Sequence, residues 1–313
     1  MRLRSSDRLG RSRLRGQLPA LRFLGAALVA AACAAPTADA TDLRRGAGPT
    51  DGASTPGGPG DDASTGGGSS GTTPTPPPQP GTGDLKPGRT TVSWTAAGQA
   101  RSVVLIVPSA ITTQQVPLVI ALHGNGDTAT NFVATRGLEQ LAESKGFVVA
   151  APQGIVQDIS VGGQQVNDVS WDAYRTPSAG NIDLALLEEI QAELVTPGGQ
   201  IDAKRVIVFG YSQGGYLSFR YGIDASAKLA CAAVVAAANP LGSAYVENAT
   251  RKIPYALSIG ANDFAVAQAR AAKAALEAAG HPLQYREIAG AGHAPFPGST
   301  AEPLDYCLEK SLP

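Results

Sequence analysis

Only three histidines (123, 281 and 293) and three cysteines (33, 231 and 307) occur among 313 residues. Groups this few and this scattered exclude a histidine-rich metal site, and no disulfide framework can be built from them for a domain of this size. Charge is also sparse. Asp, Glu, Lys and Arg make up 16% of the chain, with 25 basic residues balancing 26 acidic ones. That balance excludes a basic nucleic-acid-binding surface and gives no electrostatic hint of a partner. What is abundant is backbone punctuation: 37 Gly and 23 Pro are too many for one compact domain, so part of the chain should be linker.

Residues 1–40 read as an export signal. Seven arginines (2, 4, 8, 11, 13, 15 and 22) precede the apolar run Phe23-Leu24-Gly25-Ala26-Ala27-Leu28-Val29, which is too short to span a bilayer. Two processing routes compete. Ala30-Ala31-Ala32-Cys33 resembles a lipobox, with Cys33 as the acylated residue, whereas Ala38-Asp39-Ala40 suits cleavage near Ala40 to a soluble product. We take the lipoprotein reading first, although Ala30 stands where a lipobox usually has Leu. The segment through Ala32 carries seven of the 25 basic residues and one of the 26 acidic ones, so its removal leaves 18 against 25, a net of −7. Residues 41–88 are Gly, Pro, Ser, Thr and Asp with hardly an apolar side chain, and cannot bury enough surface to offset the entropy of ordering. They form either a tether or a remnant without a role.

From residue 89 the pattern changes to apolar runs at regular intervals. Thr90–Thr95 and Arg101–Val107 suggest an antiparallel pair; Pro117–Leu122, Phe147–Ala151, Arg205–Phe209, Cys231–Ala238, Ile253–Ile259 and Gln284–Ile288 suggest further strands. Several are apolar throughout, which predicts burial on both faces and helices on either side of a mostly parallel sheet. Helices are expected over Asn131–Lys145, Asn181–Val195, Ser212–Tyr221, Phe264–Ala279 and Pro303–Leu312. Asn181 and Asp263 stand at cap positions, and Gly146, Gly222 and Gly280 follow the last turns. Residues 89–313 thus read as one α/β domain.

The chemistry-bearing motif is Gly210-Tyr211-Ser212-Gln213-Gly214, a G-x-S-x-G between an expected strand and an expected helix. Asp263 follows the strand ending at Ile259, and His293 follows the strand ending at Ile288, so Ser, Asp and His come in the chain order that suits a serine nucleophile on a parallel sheet. His293 is placed to take the hydroxyl proton of Ser212, and Asp263 to orient the imidazole, though Asp263 also fits a plain helix cap. The loop His123-Gly124-Asn125-Gly126 after an early strand is expected to aim backbone N–H groups at an oxyanion: Asn125 first, Gly126 next, with the Gln213 N–H as the other donor. His123 is expected to orient this loop and is also a candidate substrate contact. His281 is expected in a surface turn. The segment 153–180 reads as a long polar loop setting specificity, in which Trp171 and Tyr174 either wall the pocket or pack the loop; Tyr211 either contacts substrate or fills the turn. Cys231 and Cys307 either pair as a disulfide or remain buried thiols.

From about residue 91 onward, the chain resembles the bacterial α/β-hydrolase esterases grouped with secreted poly(3-hydroxybutyrate) depolymerases and feruloyl or acetylxylan esterases. The matching pieces are Leu122-His123-Gly124, Ser170-Trp171-Asp172, Asn181-Ile182-Asp183, Ile201 to Val206, Gly210 to Gly215, Gly260 to Asp263 and Gly290 to His293. The resemblance implies an α/β-hydrolase fold with a mostly parallel sheet of about eight strands, and carboxylic-ester hydrolysis through an acyl-enzyme without metal or organic cofactor. Asn125 departs from the family, which often has Cys after His-Gly, and no polymer-binding module is recognisable. The expected partner is a small or oligomeric ester; the lipoprotein reading adds membrane attachment through a lipid at Cys33, and the alternative is a soluble product. Alternatives on the same scaffold are a serine peptidase, a thioesterase, or a catalytically silent surface-binding protein.

Overall fold

The computed structural model describes residues 84–161 and 164–313. The export signal, Cys33, Ala40 and the expected tether up to residue 83 lie outside them.

The chain enters as a hairpin, β1 (Gly88–Ala96) and β2 (Gln99–Val107), paired in register from Gly88↔Val107 to Ala96↔Gln99. Its two-residue turn, Ala97 and Gly98, has φ of 50° and 74°, the left-handed pair that matches the twist of antiparallel strands. β3 (Val116–Leu122) follows, then α1 (Ala129–Thr135) and α2 (Leu138–Lys145). One continuous helix was expected over 131–145. Gly137 breaks it, at φ 62°, and Gly146 closes α2 in the same conformation.

β4 (Val148–Pro152) leads into the largest departure from the sequence reading: the expected loop 153–180 contains the hairpin β5 (Ile155–Val161) and β6 (Gln164–Ser170), a separate two-stranded sheet. Next come α3 (Ile182–Leu194), capped by Asn181 as expected, β7 (Ile201–Tyr211), α4 (Gln213–Asp224), β8 (Cys231–Val235), β9 (Tyr255–Gly260), α5 (Val266–Ala278), β10 (Leu283–Ile288) and α6 (Ala301–Leu308). Gly222, expected to end α4, lies inside it. A Cβ there would fall 2.3 Å from the Tyr255 hydroxyl, so the glycine serves close packing rather than termination.

The main sheet has eight strands in the order β1-β2-β4-β3-β7-β8-β9-β10, parallel from β4 onward. This is the α/β-hydrolase fold. The unbroken apolar strands are explained by alternation between two cores: Leu118, Ile120, Leu122, Val206 and Val208 face one, and Val119, Ala121, Ile207 and Phe209 the other. The connection leaving β3 goes to β4 on one side, while β7 returns on the other. The carboxyl ends of β3 and β7 therefore border a crevice where the strand order reverses, which is where open parallel sheets bind ligands.

Candidate active site

Ser212 sits in the turn from β7 into α4 with φ 53° and ψ −122°, a strained backbone for a residue with a side chain. The turn is this tight because its neighbours are glycines. A Cβ on Gly210 would lie 2.1 Å from the Gly214 carbonyl oxygen, and one on Gly214 would lie 2.3 Å from that of Leu122. The Ser212 N–H donates to the Val235 carbonyl at 2.9 Å, fixing the turn to β8.

The three residues picked out by chain order converge. Ser212 Oγ is 2.8 Å from His293 Nε2, and His293 Nδ1 is 2.8 Å from Asp263 Oδ2. A carboxylate accepts only, so Nδ1 carries the hydrogen and Nε2 is left as the acceptor facing the serine hydroxyl. Asp263 is 2% exposed, and its other oxygen accepts the Ala265 N–H at 2.8 Å within the turn; the N-cap of α5 is Ala265, so Asp263 does not stand at the helix-cap position expected for it. The Asp and His loops are stitched together by backbone: the Ala261 N–H donates to Ile288 and the Asn262 N–H to Ala291. A Cβ on Gly260 would strike the Ala291 carbonyl at 2.4 Å, so this approach requires a glycine. The Phe264 ring lies 4.3 Å from the imidazole, and the Tyr211 hydroxyl donates to the His293 carbonyl at 3.3 Å.

The loop after β3 runs alongside. A Cβ on Gly124 would be 3.5 Å from Ser212 Cβ. His123 is fully buried. Its Nε2 accepts the Gly154 N–H at 2.9 Å, so Nδ1–H donates to the Gly124 carbonyl at 2.7 Å, and burial holds its pKa below the ordinary histidine value. A neutral, doubly bonded imidazole here acts as a brace for the loop. Gln213 is the first residue of α4, so its N–H has no preceding turn to bond to and projects from the helix N-terminus beside the serine.

A model of the phospholipase/carboxylesterase family matches residues 105–299. The chain belongs to that family. It is similar to the bifunctional acetylxylan esterase/xylanase XynS20E of Neocallimastix patriciarum, at 26% identity over 166 residues, which is 53% of this chain and 22% of that protein. Among solved structures it superposes on an S-formylglutathione hydrolase from Agrobacterium tumefaciens with TM-score 0.55 and 17% identity, covering 71% of this chain and 94% of the other. A thermostable esterase gives TM-score 0.53 and 19% identity, covering 72% and 63%. At these identities the superpositions speak to the fold alone.

Several expected contacts of this carboxylesterase-family chain are corrected by the geometry. The Gly126 N–H donates to the Val169 carbonyl at 2.8 Å, which leaves it no bond for an oxyanion. Trp171 is fully buried, with its indole N–H on the His123 carbonyl at 2.9 Å and its backbone N–H on the Gln213 side chain at 3.1 Å; it ties the elbow to the loop after β3 and walls no open pocket. His123 likewise has no exposed surface to offer a substrate. Tyr174 packs against Tyr216, ring centroids 6.0 Å apart, and burial pushes its phenol up to about 12. Tyr211 is half-buried beneath the Arg136 guanidinium, 3.8 Å from its ring centroid. His281 is buried rather than in a surface turn, bonded to the Ile253 carbonyl at 3.0 Å and set edge-on to Tyr255. Cys231 and Cys307 are joined as a disulfide, Cα atoms 5.4 Å apart.

Two positioning residues escaped the sequence reading. Asp168 on β6 accepts the Asn125 side-chain amide at 3.0 Å and the Val169 N–H at 2.7 Å, so β6 grips the loop at Asn125 and, through Val169, at Gly126. Arg101 forms a buried ion pair with Asp183 at 2.6 Å, and that carboxylate also receives the Asp172 N–H and the Gln157 amide. Such pairs are invisible in sequence because their members stand 43 and 82 residues apart.

Proposed function

We propose that this protein is an exported serine hydrolase that cleaves carboxylic esters. The observation that carries the reading is the unbroken relay from Ser212 Oγ through His293 to Asp263, each link 2.8 Å long. Ser212 attacks the ester carbonyl as His293 Nε2 takes its proton, and Asp263 stabilises the imidazolium that forms. The backbone N–H groups of Asn125 and Gln213 hold the negative charge that develops on the carbonyl oxygen. The imidazolium returns its proton to the departing alcohol, leaving an acyl-enzyme that water hydrolyses by the same route. The similarity to an acetylxylan esterase supports a short acyl group on a carbohydrate or related alcohol as the substrate class. Export is supported by the arginine-rich leader and by the Cys231–Cys307 disulfide, which suits an oxidising compartment.

The test is Ser212→Ala. The variant should fold with an unchanged unfolding midpoint and lose about 10⁴- to 10⁶-fold in kcat against p-nitrophenyl acetate. A rate near that of the parent protein would refute the assignment. Assaying thioester and peptide substrates beside esters separates the esterase from a thioesterase or peptidase on the same scaffold.

A further inference from the structure

Phe264 is 65% exposed, one of two large apolar side chains, with Val156, left open to solvent among the described residues. It is not a stray surface group. Phe264 directly follows Asp263, precedes α5, and lays its ring over His293 with centroids 4.3 Å apart and planes inclined by 37°. The imidazole has both nitrogens engaged, Nδ1 by Asp263 and Nε2 by Ser212, so the Phe264 ring adds no hydrogen bond to the relay. What it adds is a flat, solvent-open apolar wall against the imidazole.

The chemistry of ester cleavage says which part of a substrate meets that wall. As the tetrahedral intermediate collapses, the C–O bond to the alcohol breaks, and the electron pair stays on the alcohol oxygen, which takes the proton from His293 Nε2. That oxygen must therefore lie within hydrogen-bond reach of Nε2, about 2.6–3.2 Å. Whatever is attached to it leaves past the imidazole, where the Phe264 ring packs against it. The acyl chain, by contrast, is attached to the carbonyl carbon bonded to Ser212 and not to the oxygen that Nε2 protonates. Resting on the esterase reading above, we infer that Phe264 is the alcohol-side binding residue, selecting leaving alcohols that present a flat apolar ring face, whether an aromatic ring or the C–H face of a pyranose. An aromatic platform rewards such a ring with both area and edge or face contact, and a small linear alcohol with little.

The test compares kcat/KM, which reports only steps through acylation, for ethyl acetate, benzyl acetate and a mono-acetylated methyl pyranoside in the parent protein, Phe264→Ala and Phe264→Tyr. Phe264→Ala should lose about tenfold on the two ring alcohols relative to ethyl acetate. Phe264→Tyr should retain the preference. The ratio of ethyl butyrate to ethyl acetate and the pH profile should stay unchanged in both variants. Loss on benzyl acetate alone, or on the pyranoside alone, assigns the wall to that one ring class. An equal loss on all three acetates, or a shifted pH profile, would show that Phe264 acts only through His293 and would overturn the inference while leaving the esterase reading intact. Parent protein inert towards all the esters would overturn that reading, and the inference with it.

Discussion

At the scale of the residue, the nucleophile owes its position to its neighbours in the turn between β7 and α4. Ser212 is marked by glycines two residues to either side, and each of those glycines is required because a backbone carbonyl oxygen lies 2.1–2.3 Å from where a Cβ would stand, well inside van der Waals contact. Asp263 and His293 are marked by chain order and by their places after β9 and β10. The donor roles were less legible. Gly126 and Asn125 are neighbours in one loop, and only the course of β6 decides that the Gly126 N–H is consumed by Val169. The buried carboxylate yields a specific expectation. Asp263→Asn preserves the acceptor for the Ala265 N–H but offers a donor amide to His293 Nδ1, which favours the wrong tautomer. Hydrolysis should fall about 10⁴-fold with little change in the unfolding midpoint, as measured by ester turnover and urea titration of the same preparation.

At the scale of the element, strands buried on both faces were read correctly because continuous Val, Ile, Leu and Ala runs have few other uses. The β5–β6 hairpin runs through a segment expected as loop, although Ile155, Ile159 and Val161 share the spacing of one strand face and the sequence Gly-Gly at 162–163 is a turn signal. The polar composition outweighed that period of two. The hairpin matters because its second strand carries Asp168, whose carboxylate anchors Asn125. Asp168→Ala should therefore lower kcat about tenfold by loosening the loop that carries the proposed Asn125 donor, while KM changes less than about twofold; steady-state kinetics on a short acyl ester checks both. Gly137 and Gly222 play opposite parts. One breaks a helix whose apolar periodicity runs through it, and the other sits within a helix because Tyr255 leaves no room for a side chain.

At the scale of the whole molecule, the two cores flank one sheet, and distant segments are pinned by groups that sequence cannot pair: Arg101 with Asp183, Cys231 with Cys307, and two buried histidines. Burial lowers the pKa of His123 and His281 below the ordinary 6.5. The sign of the consequence follows from proton linkage. Well above pH 6.5 both rings are neutral in the folded and unfolded states and contribute no pH dependence. As pH falls through 6.5 the unfolded chain binds protons that the folded chain refuses, and stability drops. Urea midpoints should decrease from pH 7.5 to pH 5, and the decrease should be smaller in His281→Gln, which leaves the active site untouched. A variant whose acid-side loss equals that of the parent would show that His281 does not titrate on unfolding. The central claim, that an imidazole held by Asp263 makes the Ser212 hydroxyl nucleophilic, is tested most directly by intact-mass and peptide-level mass spectrometry after exposure to a fluorophosphonate. The account predicts a single adduct on Ser212 that disappears in His293→Ala; an unlabelled folded protein, or labelling that persists without the imidazole, would contradict it.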